Sequence, residues 1–160
     1  VIHKNLDIGK QAAEVRRVKK FESGMVVNPV TIHPDQTLAD ALKLMAEKDI
    51  GAVVVKEKDE LVGILSERDY ARKIILLGKS STETPVREIM TSHVICISPK
   101  QTVDGCMALM TEMRIRHLPV CGEDGKVIGM ITIGDLVKAK IDDQKFTIEQ
   151  MEHYTHDVHS

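Results

Sequence analysis

The chain has 160 residues, 42% of them apolar and 29% charged, and its 22 Lys and Arg nearly balance 24 Asp and Glu. That length suits one ordinary domain or two small ones sharing a core, and the charge balance gives no strong field for nucleic acid or an anionic membrane. Aromatic residues reach only 2%, too few for the stacking platforms of a single-strand binder. The apolar runs 50–55 and 74–77 fall far short of the ~20 residues of a membrane span. The first residues do not read as a signal peptide. Three cysteines, Cys96, Cys106 and Cys121, form no CxxC pattern and predict free thiols in a reducing cytoplasm.

Residues 1–24 form a lead-in whose stretch 8–20 is rich in helix formers and carries a basic cluster, Arg16, Arg17, Lys19 and Lys20. Glu14 and Glu22 flank the cluster, which reads as a solvated helical face rather than a nucleic-acid contact. A first unit covers 25–88. Residues 30–32 predict a short strand turned by Pro34-Asp35. Thr37 with Asp40 predicts a capped helix, its apolar face Leu38, Ala41, Leu42 and Met45. Residues 50–55 and 61–65 predict core strands joined by a charged turn, and 67–77 a helix stopped near Gly78. Residues 79–88 predict a polar connector.

A second unit, 89–142, repeats the first. Pro34 and Pro99, Thr37 and Thr102, Met45 and Met110, and Ile50 and Ile115 are each 65 residues apart. The turn at 122–126 is one residue longer than its counterpart, so later positions are 66 apart. Such a period precedes any fold assignment. Each unit reads as strand, helix, strand, strand, helix. A unit this small buries too little surface by itself, so the expectation is an α+β pair packed sheet to sheet with pseudo-twofold symmetry. The tail, 143–160, predicts a short helix packing back on the pair or on another subunit, with frayed last residues. His153, His156 and His159 near Asp157 read as a polar tail and not a metal site.

The chemistry-bearing feature is doubled: Gly63-Ile64-Leu65-Ser66-Glu67-Arg68-Asp69 and Gly129-Met130-Ile131-Thr132-Ile133-Gly134-Asp135. A hydroxyl with Asp three residues on caps a helix start. The same geometry can serve a nucleotide, because helix amides favour phosphate and Asp can accept from ribose hydroxyls. Capping explains one such box more readily than two at equivalent points of a repeat.

The doubled Gly-x-x-[Ser/Thr]-x-x-Asp, the Pro-x-x-Thr helix starts and Arg116-His117-Leu118-Pro119-Val120 resemble a tandem CBS-domain pair, or Bateman module, over residues 28–141. The run from Ser66 to Lys73 and the tail Phe146-Thr147-Ile148-Glu149-Gln150 are similar to small stand-alone bacterial proteins of that type. The lead-in (Ile2-His3-Lys4-Asn5, the run from Glu14 to Lys20, and Glu22-Ser23-Gly24) resembles the segment of inosine-monophosphate dehydrogenase before its CBS insert.

The resemblance implies a regulatory module, not an enzyme, with an adenine nucleotide in the cleft between the repeats. AMP leads the candidates, ahead of ADP, ATP, NAD and S-adenosylmethionine. Asp69 and Asp135 would hold ribose, and Ser66 and Thr132 would touch ribose or phosphate. Residues near Val30 and Val94, with the backbone around Ala52, Leu118 and Pro119, would read adenine. Arg116, His117 and Arg68 would reach phosphate. Gly51 and Ala52 stand where the second repeat has Arg116 and His117, so the two positions are not equivalent. No residue is assigned to catalysis or a metal. A homodimer, an effector protein and a cytoplasmic location are implied, without membrane or nucleic acid. The alternative is an excised regulatory insert of an inosine-monophosphate dehydrogenase without its catalytic barrel. The tail 146–150 favours the stand-alone reading. Met45, Met107, Met110 and Met113 and the cysteines read as core filling.

Overall fold

A computed structural model describes residues 2–3, 26–27 and 29–159. The predicted lead-in helix and its basic cluster lie outside these. Two short strands precede the repeats, β1 (Ile2–His3) and β2 (Val26–Val27). The first repeat runs β3 (Thr31–Ile32), α1 (Leu38–Lys48), β4 (Ala52–Glu57), β5 (Glu60–Ser66), α2 (Glu67–Leu77). A helical turn, α3 (Val86–Ile89), leads to the second: β6 (Ile95–Cys96), α4 (Val103–Met113), β7 (His117–Cys121), β8 (Val127–Thr132), α5 (Ile133–His159).

Local chemistry explains these elements. Thr37 caps α1 in a reciprocal box with Asp40, whose carboxylate accepts from the Thr37 amide at 3.1 Å. Lys58 and Asp59, both at positive φ, make the two-residue turn of the β4–β5 hairpin. The ladder slips between Val55 and Lys56, and again between Val120 and Cys121 in the β7–β8 hairpin. The two irregularities fall at equivalent places in the two repeats. In the first sheet α1 crosses between parallel strands β3 and β4, and β5 runs antiparallel to β4.

The repeats interlock through their leading segments. Thr91, ahead of the second repeat, exchanges backbone hydrogen bonds with Ile64 of β5, at 3.0 and 2.9 Å. Val26, ahead of the first, pairs with Met130 of β8. Val26 and Thr91 are equivalent by the 65-residue period, as Ile64 and Met130 are by the 66-residue one. Each repeat therefore lends a strand edge to the other.

Each repeat has its own core, and a third cluster joins them. Ile32, Leu38, Ala41, Met45, Val53, Val55 and Leu65 fill the first. Ile95, Ile97, Cys106, Leu109, Met110, Leu118, Val120, Ile131 and Leu136 fill the second. Val54 and Leu61 meet Val94, Cys96, Cys121 and Met130 between the sheets, the shared core expected from repeats too small to stand alone.

Three expectations change. The connector is not merely polar: Val86 and Ile89 are fully buried in the first core. The tail is no separate short helix packed back on the pair, because α5 continues unbroken for 27 residues and leaves Phe146, Ile148, Met151 and Tyr154 exposed. His153, His156 and His159 lie on this same helix, with His153 and His156 exposed. Finally, Cys96 and Cys121 are not free thiols. They form a disulfide with Cα atoms 6.1 Å apart, inside the shared core. This removes the thiol argument for a reducing compartment. Cys106 alone is free and buried, and desolvation pushes its thiol up to about 12.

If α3 is core, Ile89→Ala costs about 2–5 kcal/mol of stability. Denaturant melts measure this, and a loss under about 1 kcal/mol would make the connector peripheral.

Candidate functional site

Both doubled boxes are formed. The Ser66 amide donates to Asp69 Oδ2 at 3.1 Å and the Asp69 amide to Ser66 Oγ at 3.1 Å. The Thr132 amide donates to Asp135 Oδ2 at 2.9 Å and the Asp135 amide to Thr132 Oγ1 at 3.2 Å. Each helix start is also held within its own repeat, by the residue just ahead of the neighbouring strand. The Glu67 amide donates to the Gly51 carbonyl and the Ile133 amide to the Arg116 carbonyl, both at 3.0 Å and at equivalent positions.

A cavity of about 490 Å³ opens over the first box. Gly51, Ile64, Ser66, Glu67, Arg68, Asp69, Arg72 and Thr91 line it, with the run Arg114-Ile115-Arg116-His117 closing the other side. Of the residues singled out from sequence, Ser66, Arg68, Asp69, Arg116 and His117 come together here. Thr132 and Asp135 are half-buried at the other helix start, and Val30, Ala52, Val94, Leu118 and Pro119 are not among the lining residues. Ala52, Val94 and Leu118 are buried. The Val30 carbonyl accepts from the Val54 amide and the Pro119 carbonyl from the Ile97 amide, each at 3.0 Å, so these edges are used within the sheets.

Sequence reasoning passed over Arg72, Thr91 and Arg114. Arg72 was the most accessible, four residues after Arg68 on one helical face. Arg114 ends α4 in a left-handed conformation, φ 54°, and its carbonyl accepts from Arg68 Nη1 at 3.1 Å. Thr91 arrives through the interlocked segment and donates its hydroxyl to Asp69 Oδ1 at 3.3 Å. Lys73 Nζ lies 3.8 Å from the same oxygen, and Ser66 Oγ donates to Oδ2 at 2.9 Å.

The cavity is cationic: four arginines face two carboxylates, Glu67 and Asp69. At the symmetry-related positions Asp49, Gly134 and Lys138 replace Arg114, Arg68 and Arg72. The two halves of the cleft thus differ in charge as well as shape. Gly51 lies close against His117: a Cβ there would be in ordinary contact, 3.5 Å from His117 Nε2 and 3.8 Å from Glu67 Oε2. Burial holds the His117 imidazole below its ordinary range. Arg116 pushes the same way, while Glu67, Asp135 and Asp69 oppose. Such a site can take a phosphate between guanidinium groups, with a neutral imidazole ready to donate or accept.

Elsewhere His33, Asp35 and Glu57 cluster on the surface, the one group of metal-ligand type among the described residues. Arg87 Nη2 already sits between the two acids, at 3.2 Å from Asp35 and 3.1 Å from Glu57. No helix among the described residues is long and apolar enough to cross a membrane.

Two interlocked repeats around a shared cleft define a tandem CBS pair, and the family model for the CBS domain matches residues 15–76 and 86–142. The chain belongs to the CBS-domain family. It is 42% identical over 142 residues to the inosine-5'-monophosphate dehydrogenase of Aquifex aeolicus, which covers 88% of this chain but 28% of that enzyme. Among solved structures, a CBS-domain protein of Burkholderia ambifaria is 50% identical with TM-score 0.72, over 79% of this chain and 94% of that one. CBSX2, solved in complex with AMP, is 26% identical with TM-score 0.63, over 76% and 96%.

The His117 shift carries a pH signature. The unfolded chain takes up the proton near the ordinary histidine value, about 6.5, and the folded chain only below it. Stability is therefore full above that value and falls as pH drops from about 7 towards 5. His117→Gln should flatten that part of the stability profile in thermal melts, whereas an unchanged slope would mean the imidazole is not held neutral.

Proposed function

We propose that this chain is a non-catalytic regulatory module that binds an adenine nucleotide in the cavity over Ser66 and Asp69. The observation that carries the reading is the convergence of Arg68, Arg72, Arg114, Arg116 and His117 on a capped helix start between the repeats. Guanidinium groups and helix amides recognise phosphate. The related CBSX2 structure holds AMP. The excess of cations favours AMP, ADP, ATP or NAD over S-adenosylmethionine, which carries no phosphate. Asp69 is the acid for ribose, its Oδ1 exchanging the long Thr91 bond for a sugar hydroxyl. The electrostatic contrast with the other half of the cleft favours one tighter site.

Regulation follows from where the walls come from. Ser66, Arg68 and Asp69 belong to the first repeat, Arg114, Arg116 and His117 to the second. A ligand bridging them favours one arrangement of the pair, by no more than its difference in affinity for the two. An effector protein and a second copy of the chain would receive that change. A second reading has its own support: the match to the dehydrogenase takes in 88% of this chain, so the same module could serve as that enzyme's regulatory insert.

AMP at about a hundred times its dissociation constant adds about 2.7 kcal/mol, which for this size raises Tm by about 5–10 °C. Arg116→Ala should abolish most of that shift, while Asp135→Asn preserves it. Unaltered melting with AMP, ADP, ATP and NAD alike would dismiss the proposal.

A further inference from the structure

The Cys96–Cys121 disulfide sits where the second repeat departs from the first. In both repeats the leading strand runs parallel to the next, with Ile32 opposite Val55 and Ile97 opposite Val120. The positions 65 residues before Cys96 and Cys121 are Thr31 and Lys56, which cannot form such a link. The pairing therefore forms in this fold without a covalent bond. What the bond adds is a hold on an edge. Strand β6 joins β1 in a two-stranded sheet, with Cys96 opposite His3, while β7 belongs to the sheet β2-β8-β7. The Ile97 amide donates to the Pro119 carbonyl at 3.0 Å and the Cys121 amide to the Ile97 carbonyl at 2.9 Å, and the disulfide reinforces this junction. Its two sulfurs are not equally placed. Cys96 is fully buried. Cys121, 3% exposed, lines a surface cavity of about 430 Å³ together with Ser98, Lys100 and Glu123.

We infer that Cys121 is a thiol-exchange site, the sulfur at which a dithiol reductant opens this disulfide in the folded chain. The reductant's thiolate enters the cavity and bonds to Cys121 Sγ. The Cys96–Cys121 bond breaks, its electron pair leaves with Cys96 Sγ, and Cys96 takes a proton from water. The reductant's second thiol then loses its proton and attacks its own sulfur in the mixed disulfide, and Cys121 departs and is protonated. Two electrons pass to the protein: the reductant ends as a disulfide and the chain with two thiols. The surroundings favour this order. Lys100 attracts the incoming thiolate and Glu123 repels it, the two charged residues of the lining. Burial among Val54, Leu61, Val94 and Met130 favours the neutral thiol at Cys96, a weak nucleophile, which slows reclosure before the second thiol acts. Reduction frees the junction of β6 and β7 from its covalent staple and leaves its hydrogen bonds, the state in which the first repeat already stands.

Alkylation followed by mass spectrometry of the full chain tests this. The oxidised chain, denatured without reductant, should take one label, at Cys106; labels on all three cysteines overturn the proposal. Dithiothreitol at about pH 8, where its thiolate is populated, should open the bond reversibly without denaturant and lower Tm by about 6–12 °C. A bond that yields only once the chain unfolds is a purely structural staple and overturns the proposal equally. Lys100→Gln should slow native reduction severalfold and Glu123→Gln should speed it, whereas unchanged rates in both variants overturn the route through the cavity. With Cys96→Ser, oxidised glutathione should form a mixed disulfide at Cys121 in the folded chain, and with Cys121→Ser it should leave Cys96 untouched; the opposite assignment overturns the choice of sulfur. None of these readouts involves a nucleotide, so they stand or fall apart from the cavity over Ser66.

Discussion

Two backbone pairings at equivalent places, Thr91 with Ile64 and Val26 with Met130, hold this molecule in its working form. An unpaired strand edge leaves amide and carbonyl groups without partners, which is costly where water is excluded. Each repeat satisfies the other's edge with the segment that leads into it. The shared cluster of Val54, Leu61, Val94, Cys96, Cys121 and Met130 then seals the sheets together. Pairing is thus a condition of the fold rather than a consequence of it.

The candidate site inherits that dependence. Thr91 is carried to Asp69 by the same exchange that completes the first sheet. Gly51 and Arg116 offer their carbonyls to the helix starts of α2 and α5, so each of these helices is anchored across the hairpin beside it. The cavity has no complete wall within one repeat. A ligand there cannot be held without touching both, and this makes a nucleotide site in such a fold a natural place for regulation.

Duplication sets up two equivalent positions, and substitution has made them unlike. Replacing Gly51 by Arg116, and Asp49, Gly134 and Lys138 by Arg114, Arg68 and Arg72, concentrates positive charge over one helix start. The packing frame remains symmetric because the core positions changed little in character: Met45 matches Met110 and Val55 matches Val120. Symmetric packing with asymmetric charge is the physical basis for proposing one tighter phosphate site in a two-fold scaffold.

The repeat, the order of its elements and the capped helix starts were legible in the chain itself, through local chemistry and period: Thr37 with Asp40, Ser66 with Asp69, apolar faces at helical spacing. Arg68, Arg116 and His117 joined Ser66 and Asp69 only through the resemblance to CBS pairs. The burial of Val86 and Ile89, the Cys96–Cys121 disulfide and the contributions of Thr91 and Arg114 were not. Each of these is a contact between segments far apart in sequence, and no local pattern encodes which distant strand edge a segment will complete. The length of α5 was misjudged for a related reason. Its last turns carry no breaker, only exposed apolar residues, so sequence periodicity could describe the helix but only the three-dimensional structure could show that its tail stands away from the body.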